Sequence, residues 1–100
     1  MNKEQFITVT KWQDETFTKG TLLSYINHLE EEVVELKKNT ENKQYTQEEI
    51  ADCFLLLFAI CNKCKLNYED VVTLIDEKMK INRNRQWGKV NEKGYVKHIE

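Results

Sequence analysis

Thr46–Cys64, TQEEIADCFLLLFAICNKC, is the stretch on which the fold turns. From Ile50 to Cys61 it is almost unbroken in its apolar character, with a single acid, Asp52, inside it. Thr46 followed three residues later by Glu49 forms the pattern of a capping box, which predicts a helix from Gln47 to about Cys64. The middle of that helix is apolar on every face, so it is expected to be the central and most buried element. A carboxylate among Ile50, Phe54, Leu55, Leu56 and Phe58 costs several kcal/mol if it stays charged and unpaired, so Asp52 calls for a cation or a hydrogen-bonding partner.

Upstream, Thr21 to about Lys38 carries Leu22, Ile26, Leu29, Val33 and Leu36 at alternating steps of four and three, an apolar stripe of bundle type with Thr21 as its cap. Beside that stripe lie Glu31, Glu32 and Glu35, with His28 one turn earlier. Before it, residues 3 to about 17 place Phe6, Trp12, Gln13 and Phe17 at loosely helical intervals behind Asn2, and Gly20 stops the pattern. Downstream, Asn67 precedes a fourth helix, Tyr68 to about Arg85, whose face of Val71, Leu74 and Ile75 continues at helical spacing as Lys78, Asn82 and Arg85. The remainder, QWGKVNEKGYVKHIE, reads as a short tail from about residue 88, packed partly through Trp87 and Tyr95 or not at all.

One hundred residues make a single domain. The absence of Pro, three Gly and an abundance of helix formers predict an all-α bundle of four to five helices. Covering the apolar third helix fully takes more than four short helices, which predicts a homodimer or homotetramer. A net charge of -2 argues against nucleic-acid binding. The charge is uneven, with four Glu and no Lys or Arg in residues 28–36 but seven Lys or Arg against one Glu in residues 78–97. That asymmetry suits a metal at one end and an anion at the other. Cys53, Cys61 and Cys64 fit small thiols in a reducing compartment better than a disulfide frame, and the CxxC of Cys61 and Cys64 lacks the second half of a zinc site. MNKEQFITV has no long apolar core and no run approaches membrane-spanning length, so a cytoplasmic chain with no membrane partner is expected.

Glu32 and Glu35 on the second helix, and Glu49 and Asp52 on the third, are two i, i+3 pairs, each presenting two carboxylates from one face. In an antiparallel helix pair the four converge as a hard-oxygen cage, suited to Mg²⁺ or Mn²⁺ rather than Zn²⁺. Such a cage supplies the positive charge that Asp52 needs.

LEEEVVEL followed by EEIAD resembles the EExxE...ExxD signature of the MazG-like all-α nucleoside triphosphate pyrophosphohydrolases, with Glu31, Glu32, Glu35, Glu49 and Asp52 in its positions. KMKINRNRQWG is similar to the K...N..R.WG segment of the dATP/dGTP pyrophosphohydrolase branch, and Trp12 and Thr16-Phe17 to the end of its first helix, with Thr18 where that branch carries Pro. The likeness runs in order over roughly residues 6 to 98. It implies Mg²⁺-dependent, or Mn²⁺-dependent, cleavage of a (deoxy)nucleoside triphosphate, dATP or dGTP in that branch, between the α and β phosphates, giving the monophosphate and pyrophosphate. By motif position Glu32, Glu35, Glu49 and Asp52 are the metal ligands, and Glu31 is a residue behind them, a ligand of a second ion or the base, with Glu35 also counted as catalytic. Lys78, Asn82 and Arg85 then hold phosphate oxygens. Trp12, Phe17 or Trp87 stacks on the base, with no choice among them at this level.

Two other classes compete. A ferritin-like di-iron bundle needs Glu-x-x-His pairs, and neither His28 nor His98 has a Glu three residues before it. A non-enzymatic helical interaction module would use the apolar stripes for a partner and leave the acids solvated, Glu49 serving its cap and Lys78, Asn82 and Arg85 a wet helix end.

Overall fold

The chain begins with three helices whose ends are set by local chemistry. The computed structural model describes residues 1–99. Helix α1 (Lys3–Thr16) starts where Asn2 Oδ1 accepts from the Gln5 amide at 2.8 Å. Helix α2 (Leu22–Glu41) starts in a capping box, with the Ser24 amide donating to Thr21 Oγ1 and the Thr21 amide to Ser24 Oγ. Helix α3 (Gln47–Lys63) follows Thr46, which makes no side-chain cap hydrogen bond. The capping box expected of Thr46 and Glu49 is therefore absent, and the Glu49 carboxylate is not spent on the helix end.

Both α2 and α3 stop in the same way. Lys43 (φ 56°) and Lys65 (φ 61°) adopt the left-handed conformation. The amide of Gln44 reaches back to Asn39 O, and that of Leu66 to Cys61 O. With Lys43 and Lys65 donating to Thr40 O and Asn62 O, these are Schellman closures built on lysine instead of glycine.

Two compact units follow from the contacts, Met1–Glu69 and the part from Asp70 onward. In the first, α3 packs on α2 and α1 on α3. Tyr25, Leu56 and Ala59 form its core cluster, with Leu29 and Ile60 against it. Phe6 lies on Phe58 with ring centroids 5.3 Å apart and on Tyr68 at 6.2 Å. Asn62 Nδ2 donates to both oxygens of Asp14, tying α1 to the end of α3. Helix α3 is not buried all round, because two neighbouring helices cover only one side of it. Leu56, Phe58 and Ala59 face the core, whereas Ile50, Phe54 and Leu57 remain 41%, 59% and 45% exposed.

The second unit holds most of α4 (Tyr68–Asn84) and an antiparallel hairpin of β1 (Trp87–Val90) and β2 (Val96–His98). The hairpin replaces the expected tail, so the chain is mostly helical rather than purely so. Its turn is built by Asn91, whose Oδ1 accepts from the amides of Lys93 and Tyr95, and by Gly94 at φ +90°. Trp87 pairs with His98 in register, donates its indole N–H to Asn82 O at 2.9 Å, and meets the His98 ring edge-on. Among the described residues no helix is long and apolar enough to cross a membrane.

Candidate active site

A cavity of about 680 Å³ opens in the first unit, within the size range of small-molecule sites. One wall is aromatic: Trp12 and Phe17, at the end of α1 and just after it, make a T-shaped pair with centroids 5.4 Å apart. The opposite chemistry comes from Glu32 of α2 and Asp52 of α3, which line the same space. The two acids reach one cavity because α2 and α3 pack along each other, and each is one turn away from a core residue, Leu29 and Leu56.

The other acids are distributed around this point. Burial pushes the Cys53 thiol up, and the negative charges of Glu32, Asp52 and Glu49 push it further. Glu32 also lines a second groove along α2 with Glu31 and Glu35. His28 Nε2 stands 3.3 Å from Glu32 Oε1, one turn before it. Among the described residues no three acid, histidine or cysteine side chains are drawn into one metal-holding cluster. The donor set nevertheless fits a hard divalent ion, being all carboxylate and shared between facing helices.

Asp52 itself departs from the expectation. It is exposed, not enclosed by apolar neighbours, because the turn of α3 that carries it opens onto the cavity. Its charge needs no partner to be tolerated in the single chain. Asp52 is thus not an unpaired buried acid, yet it does line the cavity.

The cationic residues belong to the second unit. Lys78 and Asn82 lie on the last turns of α4, and Arg85 just beyond it directs Nη1 at His98 Nδ1, 3.3 Å away. Since a guanidinium only donates, His98 Nδ1 is the acceptor there. Trp87 has its indole N–H committed to Asn82 O, whereas Trp12 and Phe17 line the acid-bearing cavity. Gln13, Tyr25 and Gly20 line it too; the sequence pattern places Gln13 on the first helix and Gly20 at its stop, and gives none of the three a part in the site. A signal existed for Gln13, an amide on the helix face that buries Phe6 and Thr10.

A profile of the dATP/dGTP pyrophosphohydrolase family matches residues 6–100, nearly the whole chain. The chain belongs to the dATP/dGTP pyrophosphohydrolase family. It is accordingly an enzyme, a nucleoside triphosphate pyrophosphohydrolase. The pyrophosphohydrolase is also similar to a solved structure, the cyanophage S-2L MazG-like pyrophosphohydrolase bound to dGDP and three catalytic Mn²⁺ ions per active site. Identity is 25%, over 97% of this chain and 95% of that one, with a TM-score of 0.81. No curated protein matches this pyrophosphohydrolase.

Proposed function

We propose that the chain hydrolyses dATP and dGTP between the α and β phosphates, releasing pyrophosphate and the deoxynucleoside monophosphate, with Mg²⁺ or Mn²⁺. The observation that carries the reading is one cavity lined both by Glu32 and Asp52 and by Trp12 and Phe17. It offers carboxylates for a metal and aromatic faces for a base in one space of nucleotide size. The family match and the dGDP and Mn²⁺ ions of the cyanophage relative support the same substrate class and ion type.

Glu32, Glu35, Glu49 and Asp52 would hold the divalent ions, and Glu49 is available because it does not cap α3. Bound there, such ions screen the triphosphate and acidify a water molecule. Glu31, on the α2 groove beside Glu32 and Glu35, takes the proton of the attacking water, with Glu35 next to it as the other candidate base. His28 holds Glu32 in place and limits its side-chain freedom. Lys78, Asn82 and Arg85 supply the donors for phosphate oxygens, Arg85 through two parallel N–H groups. Trp12 and Phe17 stack on the base in preference to Trp87, whose ring is held by Asn82 and His98. The homo-oligomeric state belongs to the same reading, because the exposed face of Ile50, Phe54 and Leu57 lies on the helix that carries Glu49 and Asp52.

The test is a panel of the four canonical deoxynucleoside triphosphates with Mg²⁺ or Mn²⁺, with products resolved by ³¹P NMR. Pyrophosphate and monophosphate from dATP and dGTP, abolished by a chelator, is the expected result. Orthophosphate as the only product, or no turnover of any member, overturns the assignment.

A further inference from the structure

Arg85 stands at the joint between α4 and the hairpin, half-buried where Arg83 and Asn84 just before it are exposed. Among the described residues no carboxylate forms an ion pair with it. Its guanidinium instead meets an imidazole, with Nη1 3.3 Å from His98 Nδ1. The difference is electrostatic. A carboxylate would orient the guanidinium and cancel its charge, whereas a neutral ring that accepts one N–H orients it and leaves the charge whole.

The imidazole is itself held. Strand β2 sets His98 opposite Trp87 of β1 in register, and the two rings meet edge-on at 87° with centroids 6.0 Å apart. Trp87 is anchored in turn through its indole N–H to Asn82 O at 2.9 Å, the same carbonyl that accepts the Arg85 amide at 3.4 Å. Next to the pair, the Ile99 amide donates to Gln86 O at 2.7 Å and closes the hairpin against the residue that follows Arg85. The end of α4 and both strands thus fix the ring that meets the guanidinium.

A guanidinium grips an oxyanion through parallel N–H groups on either of two edges, Nη1 with Nη2 or Nη2 with Nε. A contact at Nη1 leaves the second edge whole. A long side chain that is free in solvent gives up rotamer freedom when it binds phosphate, and one that is already held gives up less. We infer that His98 is a positioning residue for the nucleotide, its Nδ1 holding Arg85 Nη1 so that the edge of Nη2 and Nε is set in advance for phosphate oxygens. The inference rests on the reading of Arg85 as a phosphate donor.

The experiment compares kcat/KM for dATP in the wild type, His98→Phe and His98→Asn, each with and without Arg85→Ala, with a thermal melt of every variant. Phenylalanine keeps a ring against Trp87 and suits a strand but accepts no hydrogen bond. Asparagine loses the ring and suits a strand poorly, but its Oδ1 takes roughly the place of Nδ1. His98→Phe is expected to lower kcat/KM by about five- to tenfold, the scale of one long side chain left to be immobilised on binding. His98→Asn is expected to recover most of that loss. In the Arg85→Ala background His98→Phe should cost nothing further, as a residue acting through Arg85 requires. A His98 that only braces the hairpin gives the reverse order, with phenylalanine near wild type and asparagine worse. That order, equal losses, or a His98→Phe effect that persists without Arg85 overturns the inference. Should the variants not fold, the wild type carries the test by long-range ¹H–¹⁵N NMR at alkaline pH: a proton on Nε2 with Nδ1 bare supports the contact, and a proton on Nδ1 overturns it. Arg85→Ala with wild-type kcat/KM removes the phosphate role of Arg85 and the inference with it, whereas an impaired Arg85→Ala beside an unimpaired His98→Phe overturns the inference alone.

Discussion

Asp52 sits on the turn of α3 that opens onto the cavity. Its place in an apolar run suggested a buried charge awaiting a cation, yet it is exposed beside the cavity it shares with Glu32. The revised environment alters what a substitution does. Asp52→Asn is expected to lower kcat by about a hundredfold or more, through lost charge at the metal position. Because the side chain is solvated, stability should move by no more than about 0.5 kcal/mol. Steady-state turnover and a thermal melt on the same preparation check both halves, and wild-type activity would contradict the ligand assignment. Gly20 makes the opposite prediction. A Cβ there would stand 2.7 Å from Tyr25 Oη and 2.9 Å from two ring carbons, and that ring is packed in the core with Leu56 and Ala59. Gly20→Ala should therefore cost about 1–3 kcal/mol by overpacking, seen as a fall in Tm of roughly 5 °C per kcal/mol.

At the scale of elements, the two helices that carry the acids begin differently. Thr21 and Ser24 exchange hydrogen bonds at the start of α2, but Thr46 leaves the start of α3 without a side-chain cap. Thr21→Ala should cost about 1 kcal/mol, while Thr46→Ala should cost less than about 0.5 kcal/mol, a contrast that urea titration of the two variants resolves. Equal losses would mean that Thr46 caps its helix after all. The four helices were legible because their apolar periodicity and polar breaks extend over 14 residues or more, and their observed ends fall within a few residues of the expected ones. The hairpin was not, since strands of four and three residues are too short to display alternation, and its turn depends on Asn91 and on the backbone freedom of Gly94. For the site, the spacing of the acids picked out Glu32 and Asp52 and the family resemblance Trp12 and Phe17, and the four line one cavity. Gln13, Tyr25 and Gly20 were missed because their roles arise from tertiary approach: an amide of α1 meeting a carbonyl of α3, and a hydroxyl meeting a bare Cα.

At the scale of the whole molecule, the apolar surface exceeds what one chain can bury. Ile50, Phe54 and Leu57 follow one another at helical spacing and form a continuous open face of α3. On α2, Val33 and Val34 are also open to solvent, at 49% and 64% exposure. Stable monomers rarely leave such a stripe uncovered, and a second copy offers a matching surface by symmetry. The protein is therefore expected to sediment at two or four times 12.0 kDa. Its Tm should rise with protein concentration, as association stabilises only the folded chain. Phe54→Ser with Leu57→Ser separates this from an effect on the monomer. Both side chains are exposed in the single chain, so their loss should change monomer stability by about 0.5 kcal/mol or less each. The assembly should nonetheless fall apart to 12.0 kDa and its Tm should lose its dependence on concentration. Turnover should fall with it, because α3, which bears Glu49 and Asp52, then has one unsupported side. A wild-type protein that sediments as a monomer at tens of micromolar, or a double variant that stays assembled, would remove the partner from the account of the site.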